Sequence, residues 1–294
     1  MDLDTETQKS VQEWWGKFPM TYGRHHGTSE YGDSVTPLRL GTPEFFQRAD
    51  ITFYQWTQPL HGPDGPFSRI FPYRRYVGKR VLEIGCGLGC MSSNWARQGA
   101  RVTAIDLNFP SVGLTAERFR ISKLTGNLLQ ADARTLPFRS SAFDYVYSWG
   151  VLHHSPKLEV SLQEFLRVLA SGGEFGLMLY NRESLLYRYQ VKWTEGFLHG
   201  EARFLDELSL ASRYGDGAEQ EGNPHTWPVT KRELTSMLAP SCENLEIRLL
   251  GTEFDSILEH LIPLPKVKNW IPRSWRKPWA RRWGWSIWAT GKKR

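Results

Sequence analysis

Between residues 78 and 180, short apolar runs alternate with stretches whose apolar positions recur every three or four residues. The runs Arg80–Ile84, Arg101–Ile105, Asn127–Ala131, Phe143–Ser148 and Glu174–Tyr180 read as strands. Met91–Gln98 and Pro110–Ser122 read as helices. Lys157–Leu169 does too, with apolar residues at 158, 162, 165, 166 and 169, and it stops at Ser171-Gly172-Gly173. Strands alternating with helices predict right-handed βαβ units, a doubly wound α/β fold with a mostly parallel sheet. The pattern is less regular outside this block. A helix is expected around Thr7–Lys17, and a second opens at Thr42 as N-cap with Pro43 in the first helical position. Residues 59–72, rich in proline and glycine, read as a connector. After Tyr180 the alternation lapses: residues 181–229 are aromatic and polar and read as an insertion over the sheet edge. Thr230–Leu238 then begins with a capping box, Thr230 and Glu233. Asn244–Leu250 and Trp285–Ala289 read as the closing strands.

Composition changes this picture little. The chain has 294 residues, 40% hydrophobic and 23% charged, as expected of a soluble globular protein. No apolar run has the length of a membrane span, and the first residues are polar and acidic, so a cytoplasmic protein without a signal peptide is expected. Three cysteines do not make a disulfide framework. Cys86 and Cys90 have no second ligand pair at zinc-site spacing, so they read as packing residues and no metal is expected. Charge is more informative. Ten Lys or Arg and no acid lie between Lys266 and Arg294, and removing these from the net charge of +6 leaves the rest of the chain near −4. Six of the thirteen tryptophans are in the same tail. Trp275, Trp279 and Trp283 recur every four residues, across a break at Pro278. Three readings of this tail stand side by side: a stripe packed on the core, contact with an anionic membrane surface, or nucleic-acid binding. The last is disfavoured by the small cluster and its distance in sequence from the motifs described next.

The first strand breaks into Glu83-Ile84-Gly85-Cys86-Gly87-Leu88-Gly89, a glycine-rich turn before a helix, a recurrent device for binding nucleotides. A P-loop would follow the last glycine with Lys-Ser/Thr, and Cys90-Met91 stands there instead. A dinucleotide fingerprint would place Gly or Ala at position 90, and fails for the same reason. Two acids remain, Asp106 and Asp132, at the ends of the second and third strands. In a doubly wound sheet ligands sit at the C-terminal strand ends. An acid at the second strand end is placed to accept both ribose hydroxyls, and one at the third lies near a purine's exocyclic amine. Together they describe a nucleoside site with no phosphate requirement.

Five motifs in order carry a resemblance: Val81 to Gly89, Val102 to Asp106, Ala131-Asp132-Ala133 with Leu136-Pro137-Phe138, Phe143 to His154, and Glu164-x-x-Arg167-Val168-Leu169-x-x-Gly172-Gly173. Residues 79–180 resemble a class I S-adenosylmethionine-dependent methyltransferase of the ubiquinone/menaquinone-methyltransferase-like group. The resemblance implies a seven-stranded sheet with an antiparallel last strand and S-adenosylmethionine as cofactor. It implies that Glu83, Gly85, Cys86, Gly87 and Gly89 hold the methionine moiety. Asp106, with Leu107 beside it, binds the ribose. Asp132 and Ala133 flank the adenine, with Asp132 contacting its amino group, and Ser148 and Trp149 line the transfer site. The expected organisation is an N-terminal lid over 1–76, a cofactor-binding core over 77–180, a substrate-side insertion over 181–229, and residues 230–294 completing the sheet with the basic tail.

Methyl transfer from a sulfonium is an in-line displacement, in which alignment and desolvation supply much of the rate. A general base is needed only where the acceptor loses a proton. The candidates are His153, His154 and Tyr180, with a structural role for the histidine pair as the competing reading. Tyr22, His25, His26 and Tyr31, in the expected lid, are candidate pocket residues. The expected function is methylation of a small-molecule acceptor at O, N or C. The alternatives are a peripheral-membrane methyltransferase acting on a lipid, quinone or prenylated acceptor, and a non-catalytic cofactor-binding regulator. Nucleic acid is not an expected partner, and the oligomeric state is left open.

Overall fold

The computed structural model describes residues 3–17, 38–215, 222–250 and 282–294. Seven strands form one sheet: β1 (Arg80–Ile84), β2 (Arg101–Asp106), β3 (Asn127–Gln130), β4 (Phe143–Trp149), β5 (Leu169–Tyr180), β6 (Cys242–Leu250) and β7 (Ser286–Lys293). Their spatial order is β3-β2-β1-β4-β5-β7-β6. The first five are parallel, and β7 runs antiparallel to both β5 and β6. The helices are α1 (Leu3–Lys17), α2 (Pro43–Thr57), α3 (Cys90–Arg97), α4 (Phe109–Ile121), α5 (Leu158–Val168), α6 (Glu207–Gly215) and α7 (Lys231–Leu238).

Successive residues of a strand point to opposite faces, so each strand supplies two different layers. Val81, Tyr145, Tyr147, Met178 and Trp288 face α2, α3 and α4 in an aromatic-rich core centred on Trp95. Leu82, Ile84, Val146, Leu177, Leu179 and Ile287 face α5 and α7 in a core that is mostly aliphatic. Phe45, Phe46 and Phe53 of α2 and Phe67, Phe71, Tyr73 and Tyr76 belong to the aromatic layer, so residues 43–76 are packed into the core.

Most predicted boundaries fall within a residue or two of the observed ones. The caps at Thr42 and Thr230 form as expected; Thr230 accepts from the Glu233 N–H, and Glu233 accepts from the Thr230 N–H. One expectation is corrected. No loop separates α5 from β5: Leu169 already pairs with Phe143, and Ala170–Gly173 bulge out before Glu174 meets Tyr145. The Ser-Gly-Gly sequence is therefore an irregularity inside a strand. The segment after Tyr180 is largely helical. It forms a π-helix (Leu186–Leu198) and α6 around Tyr187, Val191, Leu210 and Ala211. It then returns over the C-terminal strand ends, where Asn181 bonds Trp285 and Gly284, and the Trp227 N–H donates to the His153 carbonyl.

Of the tryptophan stripe, Trp275 and Trp279 lie outside the described residues. Lys292 and Lys293 belong to β7, and Lys293 donates to the carbonyls of Arg167 and Leu169. Trp288 is 2% exposed between Phe71 and Trp149. Trp288→Ala is expected to cost about 3–5 kcal/mol through the cavity it leaves, read as a lower denaturation midpoint in urea at unchanged slope. A loss below about 1 kcal/mol would show that the aromatic layer repacks.

Candidate active site

The turn after β1 is where backbone freedom is needed. Gly85 has φ +85°, and a Cβ there would stand 2.2 Å from the Val151 side chain. Gly87, at φ +51°, has nothing within 4 Å of the same position, so its bare backbone faces open space. The turn is held from three sides. Asp106 Oδ2 accepts the Gly87 N–H at 2.9 Å, and Oδ1 accepts the Asn108 N–H at 3.0 Å. Thr115 Oγ1 donates to the Gly87 carbonyl at 3.0 Å. Arg118 Nε donates to the Leu88 carbonyl at 2.6 Å.

Arg118 is a buried cation on α4. Its Nη1 bonds both oxygens of Asp50 on α2, at 2.9 and 2.8 Å, and its guanidinium lies 4.5 Å from the centre of the Phe46 ring. A buried charge is tolerable only when paired in this way. The pair also ties α2 to the turn. Nothing in the sequence marks Arg118 or Asp50, because each reads as a solvent-facing charge on its own helix.

The structure places the expected donor-site residues along one rim, at the C-terminal ends of β1, β2 and β3. Burial raises the pKa of Asp106, against the opposing pull of the Asn108 and Gly87 N–H groups. The Leu107 carbonyl accepts from Gln12 at 3.0 Å and from Gln130 at 2.9 Å. Asp132 is bound by its neighbour Arg134, whose Nε and Nη2 fork onto the carboxylate while its backbone N–H bonds Oδ1 at 2.8 Å. Ala133 is half-buried between them. Cys86 is buried, and its thiol, raised by burial, accepts from Thr115. The Ser148 hydroxyl donates to the Ile84 carbonyl at 2.9 Å, tying β4 to β1. Trp149 packs its ring on Phe67 and Trp288.

Helix α1 crosses this rim. The Asp4 carboxylate pairs with Lys157 at 2.7 Å, and Trp15 meets the ring of His154 edge-on at 5.1 Å. The three candidate bases lie together beneath it. His153 is fully buried, 3.9 Å from the Tyr180 ring and 4.3 Å from His154, centre to centre. Burial, with His154 and His225 nearby, holds its pKa well below 6.5, so the ring is neutral. Neither of its ring nitrogens has a hydrogen-bond partner among the described residues. His154 Nδ1 lies 2.9 Å from the His225 carbonyl and 3.1 Å from Thr226 Oγ1. Tyr180 also packs on Trp285, at 4.5 Å. Tyr22, His25, His26 and Tyr31 lie outside the described residues. Among the described residues no group of His, Cys, Asp and Glu could hold a metal ion, and no helix is long and apolar enough to cross a membrane.

The family model described as "Methyltransferase domain" matches residues 82–177. Phthiotriol/phenolphthiotriol dimycocerosates methyltransferase 1 of Mycobacterium ulcerans (strain Agy99) is 32% identical over 213 residues, covering 71% of this chain and 74% of that protein. The chain belongs to the class I S-adenosylmethionine-dependent methyltransferases. The fatty-acid O-methyltransferase of Mycolicibacterium smegmatis is 41% identical over 100 residues, 33% of this chain and 36% of that one. The chain spans about half the length of several other curated relatives it matches. Among solved structures, a methyltransferase from Methanosarcina mazei aligns with a TM-score of 0.53 at 21% identity, over 76% of this chain and 98% of that one, a likeness of fold.

In this methyltransferase Glu83 is a second acid, beside Asp106, that burial holds toward its protonated form. It lies on the aromatic face of β1, 3% exposed, and burial pushes its pKa up to about 8 although the Ser92 and Tyr147 hydroxyls lie close enough to favour the charge. It therefore keeps a proton in the folded chain that the unfolded chain releases near 4.5. The native state binds more protons across that window, so Glu83 makes stability fall as pH rises from about 4.5 to about 8. His153 acts with the opposite sign, lowering stability as pH falls below 6.5. Glu83→Gln isolates the first effect: calorimetry should show Tm declining less steeply across the window than in wild type. Parallel declines would mean that Glu83 ionises freely.

Proposed function

We propose that the chain transfers the methyl group of S-adenosylmethionine to an O, N or C nucleophile of an apolar, lipid-like small molecule. The observation that carries the donor half is Gly87, with its N–H bound by Asp106 and open space where a Cβ would stand at the C-terminal rim of the sheet. In this reading Glu83, Gly85, Cys86, Gly87 and Gly89 form the wall against the methionine moiety. Asp106 and Leu107 border the ribose, and Asp132 and Ala133 flank the adenine. When bound, S-adenosylmethionine supplies a methyl group on a positively charged sulfur, already activated for displacement. The chain's own share is to align the acceptor and keep water out. Trp15, Trp149, Tyr180 and Trp285 around the strand ends suit an apolar acceptor. The names of several relatives point the same way, to a fatty acid, dimycocerosates and a sterol as the acceptors of those proteins.

Where the acceptor carries an O–H, His153 takes its proton, with Tyr180 against the ring and His154 held by its bonds to residues 225 and 226. Substrate reaches these buried rings once α1 has moved aside. A second reading places the same chemistry at a membrane surface. It is favoured by Trp193 and Phe197, stacked at 4.9 Å and exposed on the π-helix, with Leu198 and Phe204 exposed beside them.

The test is a screen for S-adenosylhomocysteine release with fatty acids, sterols, quinols and phenols, each offered in detergent and in lipid vesicles. Turnover with an apolar acceptor is expected. Cofactor binding without turnover on any acceptor would favour the non-catalytic regulator, and faster turnover in vesicles the membrane reading. For an O–H acceptor, kcat/KM should stay flat from pH 7 down through pH 6, where Glu83 keeps its proton and a base depressed this far is already neutral. His153→Phe should lower kcat about 10²-fold with calorimetric cofactor binding unchanged. A fall in rate centred near the ordinary histidine pKa would assign the proton to another group.

A further inference from the structure

Helix α1 turns one face toward the strand ends. Asp4, Gln8, Val11, Gln12 and Trp15 share that face at spacings of three or four residues. Its anchors are spread along its length. The Asp4 carbonyl accepts from Arg134 Nη1 at 3.4 Å, above the loop that follows β3. Gln12 donates to the Leu107 carbonyl at 3.0 Å, at the end of β2. Gln8 is midway between Asp4 and Gln12 on the same helix face. It is 8% exposed, and its Oε1 has no hydrogen-bond partner among the described residues. A buried amide oxygen left unpaired is unfavourable, and such groups are uncommon enough to call for a reason.

A second observation concerns Asp132, the residue that resemblance makes the acceptor for the adenine amino group. Its Oδ1 takes the Arg134 backbone N–H at 2.8 Å and Nε at 3.2 Å. Its Oδ2 takes Nε at 3.1 Å and Nη2 at 2.8 Å. The carboxylate is neutralised by its own neighbour, and both oxygens are engaged. The rim therefore has one committed acid and one uncommitted acceptor, and the uncommitted acceptor comes from α1.

We propose that Gln8 Oε1 accepts the hydrogen bond of the purine 6-amino group of the methyl donor, so that the N-terminal helix is part of the donor site. The inference rests on the donor assignment made under the proposed function. It gives the helix a reason to close: once the purine is in place, the orphaned oxygen acquires a donor, and α1 holds the ligand against the sheet.

The test is titration calorimetry of the full chain with two ligands, S-adenosylhomocysteine and its analogue in which hydrogen replaces the 6-amino group. Wild type should bind the analogue roughly ten-fold more weakly, because the analogue leaves the buried oxygen unpaired. Gln8→Leu should weaken S-adenosylhomocysteine to about the analogue's affinity and leave the analogue within about two-fold, abolishing the discrimination. A merely structural role for Gln8 would weaken both ligands together. Gln8→Glu, which keeps an acceptor in place, should retain the discrimination and serves if the leucine variant does not fold. Asp132→Asn should shift both ligands alike. Discrimination that survives in Gln8→Leu, or disappears in Asp132→Asn, would return the amino group to Asp132. Equal binding of both ligands by wild type would overturn the role of Gln8 alone, whereas binding of neither would overturn the donor assignment itself.

Discussion

The carboxylate of Asp106 receives the Gly87 N–H on one oxygen and the Asn108 N–H on the other. Those two bonds join the turn leaving β1 to the turn leaving β2. A turn built on three left-handed glycines has no preferred shape of its own, so its geometry must be imposed from outside. Asp106 imposes it through the amides, and Thr115 and Arg118 impose it through the carbonyls. The buried Arg118 charge then requires Asp50, and Asp50 fixes α2 against the sheet. A chain of requirements thus runs from the amide of Gly87 to Asp50 on α2, 37 positions upstream.

How much of this was legible beforehand depended on whether the deciding interaction was local. The glycine turn was readable because Gly85, Gly87 and Gly89 state a backbone requirement directly, and the strands because short apolar runs between helical stretches mark segments buried on both faces. Arg118 was not readable. It sits in Ala116-Glu117-Arg118-Phe119-Arg120, where Arg120 pairs with Glu117 on the surface, and only an acid 68 positions away makes its burial possible. The junction of α5 and β5 was misread because Gly172-Gly173 is the usual mark of a loop, whereas here the strand pairs on both sides of it. Helix α1 hid its role in a different way. Asp4, Gln8 and Gln12 are polar, as a face turned toward a polar ligand must be, and a polar helix face looks like a surface when only the sequence is in hand. The segment after Tyr180 carries no periodic signal. Its position follows from bonds at Asn181 and Trp227 to strands far away in sequence.

The two faces of the sheet differ in ways that bear on the chemistry. The face packed by α5 and α7 is mostly aliphatic. The other stacks Trp95, Tyr145 and Tyr147 around Glu83, a carboxyl held in its neutral form by burial. The neutral His153 lies at the strand ends. Both groups are kept uncharged by exclusion of water, one by gaining a proton and the other by losing it. Closed rims and dry interiors thus hold the ionisation states of this molecule away from their solution values.

The placement of β7 has a consequence for how the molecule is made. It follows β6 in the chain but lies between β5 and β6, so among the described strands β6 leaves the ribosome with no neighbour to pair with. Until residues 286–293 arrive, both of its edges are bare and β5 also lacks a partner on that side. Glu243, Glu246 and Arg248 are spaced along β6, and charges on an unpaired edge discourage pairing with other chains. Those residues therefore serve the nascent chain as well as the finished sheet, guarding an opening that closes with the last strand.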